Sequence, residues 1–255
     1  MIEKLYKIWE DTPKDKKIMV LTGSGVSIAS GIDSSYRRNQ QEISEFWGQK
    51  SQILTRSNLL NNPSLILDWI EETRRKLVNI SPNANHYALL KLEHYFKEKF
   101  YLITDSIDNL HAHVGNNRLI ELNGNIFNNL LLPPTELSLI NNNKVLPKNT
   151  NGEKLRPDIV LTGEKINKKK YLQAHLFAQQ CDICLVIGSH IDNSPFNELP
   201  LISKKFKNAH IIEINSKKSY IEDADIYIKS NGENILPMLV NIIIELEDWF
   251  KISTK

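Results

Sequence analysis

Lys17-Ile18-Met19-Val20-Leu21-Thr22-Gly23-Ser24-Gly25-Val26-Ser27 is the stretch on which the fold turns. A short apolar run stops at Gly23, which is how a buried parallel strand enters a turn. The glycines that follow would let backbone N–H groups approach a pyrophosphate near the start of the next helix. A tight strand-to-helix turn without a ligand accounts for the same pattern. The third glycine of the dehydrogenase fingerprint is missing, since Ile28 stands there, and no acidic residue ends a second strand at the expected distance.

Working outward, Phe100-Tyr101-Leu102-Ile103, Asp158-Ile159-Val160-Leu161, Ile183-Cys184-Leu185-Val186-Ile187 and His210-Ile211-Ile212-Glu213-Ile214 read as further buried strands. Helical spacing separates most of them. Leu65, Ile66, Trp69 and Ile70 predict one helical face; Tyr87, Leu89, Leu90 and His94 predict another, started near Pro82-Asn83. Ile235, Leu239, Ile242, Leu246 and Trp249 define the last helix. Strands alternating with helices predict an α/β fold, a doubly wound Rossmann-like parallel sheet whose ligand site lies where strand C-terminal ends open into loops. The Gly23, Thr104 and Gly188 loops then share one edge. Residues 128–156, with Pro133-Pro134, Asn141-Asn142-Asn143, Pro147 and Asn151-Gly152, break the alternation and read as a small insert of turns and short irregular strands within a single domain over 1–255.

At 255 residues, 41% hydrophobic and 24% charged, the chain is long enough for one substantial core. Its 32 Lys and Arg against 30 Asp and Glu argue against a general polyanion-binding surface, and so against nucleic acid as a partner. No apolar run reaches the length of a membrane span, and Met1-Ile2-Glu3-Lys4 lacks the features of a signal peptide, so a cytoplasmic protein is expected. Cys181 and Cys184, running into an apolar strand, suit core thiols better than half of a zinc site. His111 and His113 have a metal-compatible spacing, but neutral core or loop histidines are commoner, and no metal is expected.

Thr104-Asp105-Ser106-Ile107-Asp108-Asn109-Leu110-His111 and Glu121-Leu122-Asn123-Gly124 resemble the Thr-Gln-Asn-Ile-Asp-x-Leu-His and Glu-Leu-His-Gly segments of the sirtuin (Sir2-like) family. Co-linear fragments extend the resemblance from about Lys16 to Val240: Gly23-Ser24-Gly25-Val26-Ser27, Ser30-Gly31-Ile32 with Tyr36-Arg37, Pro82-Asn83-Ala84-Asn85-His86-Tyr87-Ala88-Leu89, Arg156-Pro157-Asp158-Ile159-Val160, Gly163-Glu164, Asp182 through Ser189, Ser194-Pro195 through Leu199-Pro200, and Glu213-Ile214-Asn215. The resemblance implies NAD as cofactor and protein-lysine deacylation as the ancestral activity. It further implies that Gly23, Ser24, Gly25 and Ser27 cradle phosphates, that Arg37 belongs to a mobile loop over NAD, that Gly188 and Ser189 meet the adenosine half, and that Asn215 bonds its ribose. Asp108 would hold the nicotinamide amide together with the Ile107 backbone. An ionised carboxylate only accepts hydrogen bonds, which suits a carboxamide NH₂; the same residue would equally serve as a cap for 109–114.

Departures from the family pattern fall where the acyl substrate and proton transfer would be. In the family, nicotinamide leaves through an oxocarbenium-like ribosyl centre, an acyl-lysine oxygen attacks it, and a His relays a proton from a ribose hydroxyl. Asn123 replaces that His and has no usable basicity; losing a general base forfeits ~10²–10⁴ in rate. Asp105 replaces Gln and Ser106 replaces Asn; Asp105 is a candidate substitute base, its orientation open. Thr162 stands in place of a Phe, thinning one wall of the acyl-lysine tunnel, and the four zinc cysteines are missing. Departure of nicotinamide needs positioning and charge stabilisation rather than an imidazole, so NAD hydrolysis or ADP-ribosyl transfer would survive these changes better than deacylation. The expected partners are NAD or ADP-ribose and an acyl-lysine protein or other ADP-ribosyl acceptor. The alternative is a non-catalytic NAD or ADP-ribose sensor or partner module.

Overall fold

The computed structural model describes residues 1–32, 47, 50–140, 146–189, 196–216, 219–230 and 232–253. The chain runs through α1 (Ile2–Asp11), β1 (Ile18–Thr22), α2 (Lys50–Ile53), α3 (Arg56–Asn61), α4 (Pro63–Val78), α5 (Ala84–Phe96), β2 (Phe100–Thr104), α6 (Leu110–His113) and β3 (Leu119–Glu121). It continues through β4 (Gly124–Leu131), α7 (Pro134–Leu137), β5 (Leu155–Ile159), α8 (Lys168–Ala178), β6 (Ile183–Ile187), α9 (Glu198–Lys207), β7 (His210–Asn215), β8 (Ile226–Lys229) and α10 (Ile235–Ile252). Six strands form a parallel sheet in the order β3-β2-β1-β6-β7-β8. This is the doubly wound arrangement the alternation predicts, and it reverses direction between β1 and β6.

Every residue of β1 is buried because successive side chains enter opposite layers. Ile18 and Val20 join the core made with α1, α5 and α10, while Met19 and Leu21 join the one made with α8 and α9. Cys181 and Cys184 lie in the second layer as free buried thiols; burial pushes Cys181 up to about 12 and raises Cys184 too, which fits their reading as inert core residues. Among the described residues, no helix is long and apolar enough to cross a membrane.

The run from Asp158 to Leu161 does not form a parallel strand. Its first two residues end β5, which pairs antiparallel with β4 in a separate two-stranded ribbon, with a register shift between Asn125 and Asn129. Pro157 sits inside β5 and has no N–H to give, which suits an edge ribbon and not the interior of a sheet. The run is apolar because Ile159 and Leu161 enter a third core with Ile126, Leu132, Ile66, Trp69 and Ile70. An apolar run reports burial, not the partner strand.

Two helical faces are turned from their predicted positions, while α4 keeps Ile66, Trp69 and Ile70 inside as predicted. In α4, Leu65 is 38% exposed while Thr73 and Leu77 are buried. In α5, Tyr87 is 57% exposed and the inward face is Asn85, Ala88, Leu89, Leu92 and Phe96. In α10, the inward face is Leu236, Leu239, Val240, Ile243 and Glu247, leaving Trp249 at the surface beside Tyr6. Glu247 is inside because the Trp9 indole N–H and the Lys16 ammonium both donate to its Oε2, at 3.1 and 2.8 Å.

Candidate functional site

The loops after β1 and β6 meet where the sheet reverses direction, the crevice in which open α/β sheets bind ligands. Their contact is backbone to backbone. Gly23 N–H donates to the Ile187 carbonyl and Gly25 N–H to the Gly188 carbonyl, both at 3.0 Å. A Cβ on Gly25 would lie 2.6 Å from the Gly188 oxygen, and Gly188 itself has φ +59°. These glycines are therefore required by the loop-to-loop contact, in which their own N–H groups are engaged. Ser24 opens the short 3-10 turn Ser24–Ser30 at the same crevice, and Ser189 is buried beside it. Asn215, at the end of β7, donates its Nδ2 to the Ser189 carbonyl at 2.6 Å, which leaves its Oδ1 as the available acceptor. Glu213 is buried and holds the following loop through Ser219 Oγ and Tyr220 N–H.

Asp108 lies at the other end of the crevice, 3% exposed. Its Oδ2 accepts from the hydroxyls of Ser27 and Ser106, each at 2.6 Å, and its Oδ1 accepts from Leu110 N–H at 3.0 Å. Asp108 thus caps α6, and two serines fix its orientation. Ser27, expected among the phosphate-cradling residues, gives its hydroxyl proton to Asp108. Ser106 likewise faces Asp108. Ile107 is buried, and its carbonyl accepts from Ile126 N–H, tying the loop to the ribbon.

Two buried imidazoles face Asp108, with ring centroids 4.8 Å apart. Asn83 N–H donates to His86 Nδ1, so the His86 proton sits on Nε2, which has no partner among the described residues. His111 Nε2 meets Thr22 Oγ1 at 3.0 Å. Burial lowers His86 to about 4 and His111 to about 3, so both are neutral near pH 7. An unused buried donor beside a carboxylate suits a primary carboxamide.

Asp105 and Asn123 line a cleft of about 460 Å³ with Lys50, Thr162 and the apolar Leu54, Ile107, Leu122, Leu161 and Phe196. Asn123 Nδ2 donates to the Asp105 carbonyl at 2.9 Å, and the Asn123 carbonyl accepts from Val160 N–H. Position 123 therefore steadies the Asp105 backbone and links the sheet to the ribbon. The Asp105 carboxyl is raised to about 7, chiefly by burial, with Lys50 opposing and Asp108 adding to the rise. Lys50 is lowered to about 8 by burial, against the attraction of Asp105 and Asp108. Its ammonium sits 4.6 Å from the Trp47 ring centre, and Trp47 stacks on Trp69. Sequence reasoning missed Lys50, which has no motif around it. Thr162 is exposed and bridges to Thr55 through the backbone, while Phe196 supplies an aromatic wall elsewhere in the cleft. Arg37, with Tyr36, lies outside the described residues.

The arrangement offers a crevice for an extended polar ligand, a carboxylate and an N–H for an amide at one end, and a carboxyl with a near-neutral pKa in an adjoining cleft. Comparison with known proteins matches residues 23–195 to the family model described as the Sir2 family. The NAD-dependent protein deacylase of Thermococcus sibiricus is 31% identical over 237 residues, covering 88% of this chain and 91% of that protein. The NAD-dependent protein deacetylase of Sulfolobus acidocaldarius is 29% identical over 254 residues, with 96% and 98% covered. The solved structure of a Sir2 homolog in complex with NAD superposes with a TM-score of 0.78 at 27% identity, over 96% of this chain and 94% of that one.

Proposed function

Because this chain belongs to the Sir2 family, we propose that it is an NAD-dependent protein-lysine deacylase in which Asp105 takes the general-base role that Asn123 cannot fill. The observation that carries this reading is the placement of the Asp105 carboxyl, with its pKa near 7, in the same cleft as Asn123. A base poised near the operating pH is the most effective one.

The residues present fit NAD. Ser24 and Ser189 stand at the switch-point crevice, Asn215 Oδ1 is an available acceptor for a ribose hydroxyl, and Asp108 with the His86 Nε2–H suits the nicotinamide carboxamide. When bound, NAD supplies an electrophilic ribosyl carbon whose bond to nicotinamide is broken. Ser27 and Ser106 hold Asp108 in one orientation for the amide. Asn123 holds the Asp105 backbone, and Lys50 favours the ionised carboxylate. The apolar walls of the cleft exclude water from the acyl-lysine.

A second reading is NAD hydrolysis or ADP-ribosyl transfer, favoured by the replacement of the imidazole while the Asp108 network is intact. Incubating the protein with NAD, with and without an acyl-lysine peptide, separates the two. Peptide-dependent O-acyl-ADP-ribose that disappears in Asp105→Asn is the expected result. Peptide-independent release of nicotinamide and ADP-ribose supports the second reading instead. No turnover, with NAD-dependent thermal stabilisation, sinks both in favour of a sensor. Asn123→His is expected to raise the deacylation rate; no gain would place the limit at Ser106 or Thr162.

A further inference from the structure

A second cleft, of about 410 Å³, opens beside the first and shares Leu122, Ile159, Val160, Gly163 and Glu164 with it. Its walls carry Arg56, Arg156, Lys165 and Lys170 against Asp158 and Glu164. Arg156 is buried and spent on Glu164, at 2.5 and 2.9 Å, and Lys170 reaches Asp158 at 3.4 Å. Both acidic groups of the cleft are thus paired internally. Lys165 is exposed on the rim, and Lys168 and Lys169 extend the charge along the exposed first turn of α8.

Three lysines in the first turn stand at the wrong end of that helix. The N-terminal pole is positive and favours acidic residues, yet the first turn of α8 contains none. The Asn167 side chain caps this end by accepting from the Lys169 and Lys170 N–H groups, but it does not neutralise the three ammonium groups, and such breaks of a local rule are expected at functional sites.

We propose that the rim formed by Lys165, Lys168 and Lys169 is a docking surface for acidic residues flanking the modified lysine of a polypeptide substrate. The inference rests on the deacylase reading for the acyl-lysine only; the surface itself would bind an acidic segment in any case. A polypeptide is favoured over nucleic acid because the cleft runs directly into the one holding Asp105 and Asn123.

The test uses the full chain and fluorescent acyl-lysine peptides with acidic, neutral or basic flanks, plus an acidic peptide with an unmodified lysine. Binding is followed by anisotropy at low and high salt. The acidic-flank peptide is expected to bind about tenfold tighter than the neutral one at low salt, with the difference erased at high salt. Lys165→Glu/Lys168→Glu/Lys169→Glu, all exposed positions, should reverse the preference; the Gln triple variant should abolish it. Equal affinity for all flanks, or a preference the triple variant leaves unchanged, overturns the proposal. So does tighter binding of a single-stranded oligonucleotide than of the acidic peptide. Deacylation with no flank preference removes the surface and leaves the enzyme reading; salt-sensitive acidic-peptide binding without acyl product does the reverse. Absence of any peptide binding removes both.

Discussion

Asp105 and Lys50 make the chemistry of the cleft depend on pH in a defined direction. Deacylation should rise as the Asp105 carboxyl ionises through about pH 7, and fall as Lys50 loses its proton near 8. Lys50→Met should move the rising limb to higher pH, because the nearby positive charge is gone, while Lys50→Arg should keep it in place; coincident profiles would remove Lys50 from this role. The buried histidines set a different limit. Both lie below the ordinary 6.5, so the folded chain binds fewer protons than the unfolded one between pH 6.5 and about 4. Stability is therefore lost as pH falls through that window, at about 1.4 kcal/mol per pH unit for each histidine. Asp105, raised instead of lowered, acts in the opposite sense, so the comparison must be with a variant: His86→Asn should flatten the denaturation slope over this range. Asp108, Asn123 and Asp105 were legible in the sequence as motif positions. Lys50 was not, since a lysine opening a four-residue helix looks like any solvated charge until the fold carries it to the cleft.

At the level of elements, polar residues inside helices misled the periodicity. Glu247 in α10 and Thr73 in α4 occupy inward positions that a hydrophobic pattern skips; in α10 the inferred face is shifted by about a residue, while in α4 only Leu65 was misplaced. The buried Lys16–Glu247 pair joins the segment before β1 to α10 across the core. Lys16→Met should destabilise the protein by about 3 kcal/mol in chemical denaturation, because it takes the buried cation from a carboxylate that keeps, among the described residues, only the Trp9 indole and the exposed Lys251; adding Glu247→Leu should recover much of that. A loss in the double variant equal to that in the single would show the pair is not the cause. The contact between the two glycine loops should be equally intolerant. Gly25→Ala places a Cβ 2.6 Å from backbone and should reduce both stability and NAD affinity, measured by thermal shift with and without NAD.

For the molecule as a whole, the sheet was readable because four of the five apolar runs are its strands β1, β2, β6 and β7, while the short edge strands β3 and β8 are too brief to show as such runs. The ribbon was not, because β4 begins inside the Glu121–Gly124 motif and its strand pairing is antiparallel. That ribbon does not stand apart. Arg74 of α4 donates to the Ile126 carbonyl at 2.7 Å and to Asn129 Oδ1 at 3.1 Å, and Ile126, Ile159 and Leu161 share a core with Trp69 and Ile70. The chain's two cysteines, Cys181 and Cys184, are in the main sheet layer, so the ribbon's support is apolar and shared with its neighbours. A chelator should accordingly leave the melting temperature unmoved. It also follows that the ribbon has no separate melting transition: amide hydrogens at Ile126 and Ile159 should exchange as slowly as those of Val20 and Leu21, only through global opening, so that a partner protein or a protease would meet the ribbon side of the cleft as one wall and not as a detachable flap.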